Sequence, residues 1–538
     1  MCIVHIARTY RPGGNPMVQQ IELRTPGKRR DVWKKPSDFR VLLVYPNIQQ
    51  AAMMPYSMGL FTAILRDQGF QVDLFDSSFY VEELTSNYVH YRTFTKQFDW
   101  LERDVRFRES NMLDDFRAKV ARFQPDLIAV SVVENTYSIG RAMMRALPAQ
   151  DRKIPTIWGG PFATFAPNFI LRDNVGDFVC RGEGEIALVE LCQRMCDGRP
   201  LTDIPNLWVR SDGQLYRNPL GERVDLDQLP FADYSLFEEQ AIYRPMEGRL
   251  WRTIGIESQR GCPYQCTYCN SPGNNRMAVA EQGSKFYRRK SLDRVMAELD
   301  HLNKRHDIEL VYWLADTFLA VPNKYFDELV ERYEDYRIPF WMNTRSETMT
   351  EHAADGLERM NMLRTSIGVE HGNAEYRRKM LKRFQTNDQL RRAFEVCSGR
   401  SFSTTGNLII GMPEETRELI FETIDFTRSL PDDIDTVGCF IFSPLHGTEL
   451  RRIAESNGYL DPETFCDISD PEVSILDQPQ LSRAEVIGIA KCFGLYQTAP
   501  KEDWDRVRAA EPETPEANAK LEELVRHYRP GDAVAMAD

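Results

Sequence analysis

Three cysteines are the clearest candidates for chemistry in this sequence. Cys262, Cys266 and Cys269 share one short loop at spacing CxxxCxxC. The loop follows an apolar run at 253–256 that predicts a strand. An iron–sulfur cubane takes four thiolate ligands, so three thiols leave one iron open. Zinc is the alternative, but tetrahedral zinc sites usually add a second cysteine pair or histidines, and neither follows closely here. The spacing therefore favours a 4Fe–4S cluster with one open iron.

This loop resembles the CxxxCx(aromatic)C signature of the radical S-adenosylmethionine (SAM) enzymes, with Tyr268 as the aromatic residue. The resemblance implies that Cys262, Cys266 and Cys269 are the cluster ligands and that Tyr268 lies near the adenine of SAM. In that family the open iron chelates SAM, and the reduced cluster cleaves SAM to a 5′-deoxyadenosyl radical. An electron donor such as flavodoxin or ferredoxin is the implied partner.

The cysteine loop needs a scaffold, and from about residue 251 the pattern alternates strands with amphipathic helices. Six strands are predicted, at 253–257, 309–314, 340–345, 363–370, 405–410 and 437–442. Six such units indicate an open, partial (β/α)6 barrel, and the chemistry of barrels sits at the carboxyl ends of the strands. The cysteine loop stands at the end of the first of these strands.

Motifs at the other strand ends also resemble the radical SAM pattern. They are the stretches 368–372, 407–414 and 444–450, the second ending on Glu414. The resemblance implies that six residues face SAM, namely Tyr268, Asp316, Arg345, Glu370, Ile409 and Gly411. The sequence departs from the pattern at Ala315, Asn407 and His446, which replace an Asp, a Gly and a Pro.

Two of these strand-end residues keep alternative interpretations. His446 could be an acid or base that faces the substrate, since histidine titrates near neutral pH, or an ordinary loop histidine. Glu370, taken without the pattern around it, could be a solvated carboxylate. No other catalytic residue is predicted.

The chain before residue 204 shows a second alternation, in which the strands are short, continuous apolar runs. They are predicted at 40–46, 71–76, 127–132, 155–158 and 177–180. Continuous apolar strands separated by helices predict a doubly wound, Rossmann-like parallel sheet. Ligands of such sheets bind beyond the carboxyl ends of the strands.

The loops at those ends resemble the cobalamin-binding domain found before many radical SAM barrels. The similarity rests on 55–60, 159–161 and 181–185. It implies a set of residues around the corrin and its nucleotide tail: Tyr56, Ser57, Met58, Ser131, Gly159, Gly160, Phe162, Gly182 and Glu183. The Asp-x-His-x-x-Gly motif of free cobalamin methyltransferases is missing, so no histidine is expected under the cobalt. A Rossmann-like domain that binds no ligand is the alternative.

These patterns divide the chain of 538 residues into five segments. We predict an N-terminal arm at 1–37, a cobalamin-binding domain at 38–203, a connector with a hairpin at 204–250, a radical SAM partial barrel at 251–450 and a helical extension at 451–538. The extension is expected to cover the barrel mouth. An aromatic insertion at 80–107 has no predicted role.

Composition bears on location and partners. No apolar run reaches the about 18 residues that span a bilayer, and no signal peptide is recognised at the start. A net charge of −13 opposes a grip on nucleic acid, which usually needs a basic surface. The chain has eleven cysteines, an odd number, and the eight outside the cysteine loop are scattered, which suits a reducing cytoplasm better than a disulfide framework. Cys192 and Cys196, four apart on a predicted helix, are expected in the core rather than on a metal.

Together the two implied cofactors favour a C-methyltransferase that acts on an unactivated carbon of a small molecule or natural product. A carbon radical would take a methyl group from methylcobalamin, and a second SAM would remethylate the cobalt. A cyclase or rearrangement enzyme of the same group is the first alternative. A tRNA methylthiotransferase is a further alternative, but it would carry three additional cysteines and a basic tail, which this sequence does not show. A non-catalytic cobalamin sensor is the last alternative, but it would not need the open iron that three cysteines leave. The substrate is not predicted.

Overall fold

The computed structural model describes residues 34–47, 55–80, 98–436, 439–467 and 473–529. Nearly all of the predicted N-terminal arm, and most of the aromatic insertion at 80–107, lie outside these ranges. Within the described ranges, no helix combines the length and the apolar character that crossing a membrane requires.

The first half of the chain forms a seven-stranded sheet in the order β2-β1-β3-β4-β5-β6-β7. Its strands are β1 Arg40–Tyr45, β2 Gln71–Asp76, β3 Leu127–Ser131, β4 Thr156–Gly159, β5 Phe178–Cys180, β6 Leu207–Ser211 and β7 Gln214–Arg217. Its helices are α1 Tyr56–Asp67, α2 Met112–Phe123, α3 Tyr137–Ala146, α4 Pro161–Phe165, α5 Pro167–Arg172 and α6 Glu185–Asp197. Strands β1 to β5 are parallel, as predicted.

Both faces of this sheet are covered at its centre, which explains the unbroken apolar runs of β1 and β3. Val41 and Leu43 pack with α1 and α6 on one face, and Leu42 and Val44 pack with α2 and α3 on the other. Successive residues of a strand point to opposite faces, so helices on both sides require an unbroken apolar run. Cys192 and Cys196 of α6 are buried in the first of these two cores.

The predicted hairpin extends this sheet rather than standing apart in the connector. Strand β6 pairs antiparallel with β5, and β7 pairs with β6. The turn residues Asp212 and Gly213 have φ values of 50° and 74°, the left-handed conformation of a two-residue hairpin turn. The first sheet therefore continues past residue 203.

The second half forms an open sheet in the order β16-β15-β14-β13-β12-β9-β8, with β17 also paired to β15. Its strands are β8 Tyr243–Met246, β9 Arg249–Glu257, β12 Leu310–Leu314, β13 Phe340–Arg345, β14 Met362–Glu370, β15 Ser403–Ile410, β16 Ile434–Asp435 and β17 Cys439–Ile441. Two short strands, β10 Gln259–Arg260 and β11 Arg288–Arg289, pair separately. The parallel run from β9 to β17 is the predicted partial barrel.

In the described part of the chain, helices lie between the barrel strands and directly after the last one, and three more follow in the extension. The first group is α7 Ser271–Gln282, α8 Leu292–His306, α9 Asn323–Tyr333, α10 Glu351–Arg359, α11 Ala374–Met380, α12 Asn387–Cys397, α13 Arg417–Thr427 and α14 Glu449–Ser456. The extension contributes α15 Arg483–Thr498, α16 Trp504–Arg508 and α17 Pro515–Tyr528.

Two elements of this half differ from the sequence prediction. Strand β8, in the predicted connector, was not foreseen; it pairs antiparallel with β9 and ends the sheet. The last predicted strand, 437–442, is represented by β17, while β16 lies just before it. Short edge strands of this kind carry too few residues to show a pattern of alternation.

Candidate active site

The cysteine loop connects the end of β9 to the start of α7. Cys262 and Cys266 are buried and Cys269 is half-buried. Desolvation raises the pKa of the Cys262 thiol, and it raises the pKa of the Cys269 thiol to about 12. The charge of a Cys266 thiolate would raise the pKa values of Cys262 and Cys269 further. The three sulfurs are therefore close enough to interact in one pocket. Metal binding requires deprotonated thiols, so the iron itself would have to displace these protons.

Each sulfur already has a hydrogen-bonding neighbour. Arg345 Nη1 donates to Cys266 Sγ at 2.8 Å, and the Ser271 N–H donates to Cys269 Sγ at 3.4 Å. Thr317 Oγ1 lies 3.4 Å from Cys262 Sγ. Donors around the sulfurs stabilise thiolates and tune the potential of a cluster, so the pocket fits a three-thiolate cluster.

Among the described residues, no three His, Cys, Asp or Glu side chains converge in a way that would hold one metal ion. A cubane binds each of its thiolates through a different iron atom. The assignment of a cluster to the three cysteines therefore rests on their spacing in the sequence.

The loop is fixed from outside by its middle residue, Thr267. Its N–H donates to the Leu381 carbonyl at 3.4 Å, and its hydroxyl donates to the Met380 carbonyl at 2.6 Å. The Thr267 carbonyl in turn accepts from the N–H groups of Glu449 and Leu450, in the first turn of α14, at 2.9 and 3.0 Å. Sequence analysis missed Thr267 because it occupies a variable position of the motif.

Tyr268 belongs to a buried triad with Glu370 and Arg383. The Tyr268 hydroxyl donates to Glu370 Oε1 at 2.8 Å, and Arg383 Nη1 donates to the same two atoms at 3.0 and 3.1 Å. Burial alone would lower the pKa of Arg383, but Tyr268 and Glu370 raise it. Glu370 is therefore an enclosed, paired carboxylate rather than a solvated one. Arg383 gave no signal in the sequence.

The backbone around Glu370 is unusual. Its φ is 66°, and the register between β14 and β15 shifts between Gly368 and Glu370. A Cβ on Gly368 would stand 2.0 Å from Glu370 Oε1, so that position requires glycine. A bulge of this kind redirects a side chain at a strand end, and here it turns the Glu370 carboxylate towards Tyr268.

The loop after β15 is held by Glu415, not by Glu414. Glu415 Oε2 accepts from the N–H groups of Gly411 and Met412 at 2.5 and 2.9 Å. Glu415 Oε1 lies 3.1 Å from Nε2 of His371, and both of these side chains are fully buried. Glu414, where the sequence motif ended, is exposed with a φ of 63°. The motif therefore shifts by one residue.

The remaining predicted SAM residues lie around the same loop. Ile409 and Tyr268 pack against one apolar cluster. The Asp316 carboxylate accepts from the Ser271 hydroxyl at the start of α7. Arg345 stacks on Tyr264, with its Cζ 4.0 Å from the ring centroid. All six predicted SAM residues therefore border the cysteine loop or the strand ends beside it.

The predicted cobalamin residues divide into two groups. Ser57 is exposed and Ser131, Gly159 and Gly182 are half-buried at or beyond the carboxyl ends of their strands. A Cβ on Gly159 would meet nothing within 4 Å, so space is open beside that backbone. These four residues fit a bulky ligand lying over the strand ends.

Gly160 does not belong to this group, because its conformation has a different cause. Its φ is 92°, and a Cβ there would stand 2.4 Å from the Val132 carbonyl oxygen. The close neighbour that requires glycine is therefore the β3 loop, not a corrin. From the sequence, Gly159 and Gly160 looked alike. Only the structure shows that open space lies beside Gly159 and that the Val132 backbone lies beside Gly160.

Three further predicted cobalamin residues point into the protein. The Tyr56 hydroxyl accepts from Lys290 Nζ at 2.8 Å, between the two halves of the chain. Met58 packs in the core of the first sheet. The Phe162 ring is buried beside Tyr137, with centroids 4.6 Å apart. The faces of α1 and α4 that carry these three side chains pack inwards, and the contact of these residues with a corrin stays a prediction.

Glu183 belongs to an interdomain ion network of Glu183, Glu185, Glu257, Arg260 and Arg288, and its contact with a corrin stays a prediction. Arg260 Nη1 lies 2.6 Å from Glu183 Oε1 and 2.7 Å from Glu185 Oε1. Arg260 Nε lies 3.0 Å from Glu257 Oε1, and Arg288 also pairs with Glu183. Since Arg260 stands two residues before Cys262, the loop after β5 is joined to the cysteine loop.

His446 makes a second junction between the two halves. The Nδ1 atom of its ring lies 2.9 Å from Oε1 of buried Glu134, and its backbone N–H donates to Glu134 Oε2 at 2.8 Å. Its ring lies edge-on to Phe162 and Phe169, with centroids 5.6 and 5.0 Å away. His446 is therefore a packed, paired loop histidine, the second of its two interpretations.

Phe165 makes a third junction. A Cβ on Gly273 of α7 would stand 2.8 Å from its ring, and one on Gly447 would stand 2.4 Å from it. Glycine at both positions lets the barrel come close to the α4 loop after β4. The carboxyl ends of the two sheets are thus in direct contact.

The two halves match two family models. The model described as Radical SAM superfamily matches residues 256–427, and the B12 binding domain model matches residues 53–192. The first range contains the cysteine loop, and the second contains the loops after β3 to β5.

Curated relatives match more than half of the chain at about one quarter identity. An uncharacterized methyltransferase of Pyrococcus horikoshii is 26% identical over 376 residues, which is 68% of this chain and 76% of the relative. The anaerobic magnesium-protoporphyrin IX monomethyl ester cyclase of Rubrivivax gelatinosus is 25% identical over 338 residues, 60% of this chain and 57% of that enzyme.

Solved structures share the fold over nearly the whole chain. The cobalamin-dependent SAM radical enzyme OxsB, with aqua-cobalamin and SAM bound, has a TM-score of 0.63 at 15% identity and covers 92% of this chain and 72% of its own. The radical SAM methyltransferase TsrM from Kitasatospora setae, with cobalamin and a 4Fe–4S cluster bound, has a TM-score of 0.60 at 18% identity, covering 91% and 99%. The B12 binding domain model matches before the Radical SAM superfamily model along the sequence. The chain therefore belongs to the radical SAM enzymes that carry an N-terminal B12-binding domain.

Proposed function

We propose that this enzyme is a cobalamin-dependent C-methyltransferase acting on an unactivated carbon of a small molecule or natural product. The observation that carries the proposal is the contact of the two strand-end faces, where Arg260 beside the cysteine loop pairs with Glu183 after β5 at 2.6 Å. A substrate held between those faces would meet both cofactors at once.

The chemistry is divided between the two faces. When bound, the cluster with SAM supplies a radical that removes a hydrogen atom, and cobalamin supplies a methyl group. The chain's own part is to hold and orient them. Cys262, Cys266 and Cys269 would ligate the cluster, with the Arg345 guanidinium donating to the Cys266 sulfur at 2.8 Å.

The SAM site would be built on the triad of Tyr268, Glu370 and Arg383. Arg383 neutralises the buried Glu370 carboxylate and fixes the direction of its Oε1. Because that oxygen is occupied, the other carboxylate oxygen would accept from the SAM amino group. Glu415 would fix the loop at Gly411 against the adenine, through its two backbone hydrogen bonds.

The corrin would lie over Ser57, Ser131, Gly159 and Gly182, with open space beside Gly159. We expect no histidine under the cobalt. His446, although it lies close to the first sheet, is already paired with Glu134 at 2.9 Å. We keep the predicted domain limits of 38–203 and 251–450 as part of this proposal, with the hairpin added to the first.

Product stoichiometry tests the reaction. Reconstituted enzyme, incubated anaerobically with extracts of its host as the substrate source, should form S-adenosylhomocysteine and 5′-deoxyadenosine at about one to one with a methylated product, since each turnover uses SAM in two roles. Mass spectrometry with labelled methyl-SAM would identify that product. Methyl transfer is contradicted if 5′-deoxyadenosine forms without matching S-adenosylhomocysteine.

A cyclase or rearrangement enzyme is the second candidate, because the Rubrivivax gelatinosus relative is a cyclase. Such an enzyme would consume SAM only for 5′-deoxyadenosine, and its product would gain no labelled methyl group. The same experiment therefore decides between the two reactions.

The proposal also includes a reducing compartment and an electron donor. We propose a cytoplasmic location, because an oxygen-sensitive cluster and the buried thiols at Cys192 and Cys196 suit reducing conditions. Fractionation of host cells with an antibody to the protein tests this. A flavodoxin or ferredoxin would supply the electron.

A further inference from the structure

His371 stands directly after Glu370, at the end of β14, and its side chain is fully buried. Arg377 Nη1 donates to the His371 carbonyl at 2.6 Å, which fixes the backbone at this point. The His371 ring stacks on the ring of Tyr376 in α11, with the two centroids 4.4 Å apart. Because both its backbone and its ring are held, each ring nitrogen of His371 faces a fixed partner.

A backbone group two residues later decides which of these nitrogens carries the hydrogen. The Asn373 N–H donates to Nδ1 of His371 at 2.9 Å, so Nδ1 is an acceptor and the ring holds its single hydrogen on Nε2. Nε2 lies 3.1 Å from Oε1 of Glu415, whose side chain is also fully buried. The fold therefore selects the tautomer that presents a donor to Glu415.

This His371–Glu415 contact is close but not aligned. Among the described residues, neither Nε2 of His371 nor Oε1 of Glu415 has a hydrogen bond of good geometry, although the two atoms face each other. A buried donor and a buried acceptor without partners are unfavourable, so a small movement that aligns the pair is favoured. The pair therefore responds to any change in the position of either residue.

Glu415 transmits such a movement to the loop after β15. Its Oε2 accepts from two backbone N–H groups of the loop 411–414. Tyr376 holds the same loop, since its hydroxyl donates to the Pro413 carbonyl at 2.7 Å. His371 thus contacts both side chains, Glu415 through Nε2 and Tyr376 through stacking.

On its other side His371 is joined by a peptide bond to Glu370, whose carboxylate forms the triad with Tyr268 and Arg383. In the proposed function this carboxylate accepts from the amino group of SAM, and the loop 411–414 packs against the adenine. These are opposite ends of one ligand. His371 is in direct contact with the elements that hold both ends.

We propose that His371 is a positioning residue that couples the amino-acid end of bound SAM to its adenine end. The inference rests on the proposed function, since it requires SAM between Glu370 and the loop 411–414. A ligand on the Glu370 carboxylate fixes the end of β14, the His371 ring aligns with Glu415, and Glu415 holds the loop in the conformation that packs on adenine. Coupling of this kind passes through contiguous contacts and is reciprocal, so each end of the ligand strengthens binding of the other.

The test measures this coupling with the two halves of SAM as separate ligands. Anaerobic titration calorimetry on the reconstituted enzyme gives the dissociation constant of 5′-deoxyadenosine with and without saturating methionine, and the ratio of the two constants is the coupling factor. In wild type the factor should be about five or more, within the usual range for coupled sites. In His371→Ala it should fall to about one, because alanine reaches neither Glu415 nor Tyr376.

Two conservative variants show which nitrogen is needed. Glutamine can place an amide N–H near the position of Nε2, whereas asparagine reaches only the position of Nδ1. His371→Gln should therefore keep most of the coupling factor, and His371→Asn should lose it. Both leave a polar side chain in the same buried place, so a role in folding alone would affect them equally. Thermal unfolding measures the stability of each variant separately.

Hydrogen exchange of the loop is a second readout, and it needs no ligand. The amides of Gly411 and Met412 should exchange about tenfold faster in His371→Ala than in wild type, because the carboxylate that holds them loses its neighbour. In His371→Gln they should exchange like wild type. The matched control is His352→Ala, which removes an exposed histidine paired with Asp327 at 2.7 Å and should change neither readout.

The remaining outcomes separate this inference from the proposed function. A coupling factor of about one in wild type, or an unchanged factor in His371→Ala, would overturn the positioning role. Equal loss in the glutamine and asparagine variants would also contradict it and would leave His371 as a packing residue. A wild-type enzyme that holds its cluster but binds neither SAM nor either half would refute the proposed function itself.

Discussion

Arg260 Nη1 lies 2.6 Å from Glu183 Oε1, and this ion pair joins the B12-binding half to the residue two places before the first cluster cysteine. The side chains are only 15% and 9% exposed. Arg260 also pairs with Glu185 and Glu257, so one guanidinium serves three carboxylates from both halves. This cation therefore helps to set the relative position of the two cofactor sites, together with the His446–Glu134 pair.

Removal of that cation should destabilise the protein strongly. In Arg260→Met the enclosed carboxylates of Glu185 and Glu257 lose their nearest cation, while Glu183 keeps Arg288. Breaking a buried pair costs about 3–5 kcal/mol. Denaturant unfolding measures the change. Arg392→Met, which breaks an exposed pair with Glu351 at 2.8 Å, should cost about 1 kcal/mol or less. Equal effects would show that the interdomain ion network is solvated and weak.

The same network makes stability depend on pH. Burial would raise the pKa of Glu257, but Arg260 and Lys290 hold it below its ordinary value of 4.5. Because the pKa of Glu257 is lower in the folded protein than in the unfolded chain, its carboxylate stabilises the folded state above pH 4.5. That stabilisation is lost as the pH falls through the pKa that Glu257 has in the folded protein. Denaturant midpoints between neutral pH and pH about 3 should fall more steeply in wild type than in Glu257→Gln. Parallel curves would contradict this.

The cluster prediction concerns the three thiols. The triple variant Cys262→Ala, Cys266→Ala and Cys269→Ala should hold almost no iron after anaerobic reconstitution, because no ligand remains. Iron and sulfide analysis, together with the visible absorbance of the cluster, measures how much cluster each variant holds. Cys192→Ala, which alters a core cysteine, should bind iron like wild type. Iron retained in the triple variant would place the cluster elsewhere.

The neighbouring glycines at 159 and 160 should respond differently to substitution. Gly159→Leu would fill open space, so the protein should fold normally but lose hydroxocobalamin binding. Gly160→Leu would force a side chain against the Val132 carbonyl at a φ of 92°, so it should lower the unfolding midpoint as well. Absorbance titration and thermal unfolding distinguish the two. Normal cobalamin binding by Gly159→Leu would move the corrin away from β4.

Glu370→Gln should affect the SAM site alone. The amide keeps the shape but removes the charge that Arg383 neutralises, which leaves that buried guanidinium without its anion. SAM affinity and 5′-deoxyadenosine formation should fall about tenfold or more, while cobalamin still binds. Equilibrium binding and product analysis report each separately. Loss of cobalamin with retained SAM would assign Glu370 to the other cofactor.

Local pattern was enough to predict the architecture. The unbroken apolar run at 41–45 predicted a strand covered on both faces, and the spacing of Cys262, Cys266 and Cys269 limits the chemistry to a few metal sites. Both features involve residues close together in the chain, so they can be read without knowing what lies opposite. The barrel, the parallel sheet and the cysteine loop were all predicted in this way.

The side-chain partners were decided by tertiary structure. Glu183 sits in a loop that resembles a cobalamin loop, yet its charge meets Arg260, 77 residues later. Arg383 completes the Tyr268 triad from 115 residues away. Hydrogen bonds and ion pairs depend on which strand ends come together, and packing between two separate sheets sets that. Periodicity describes one element and its buried face, so it could not predict these contacts.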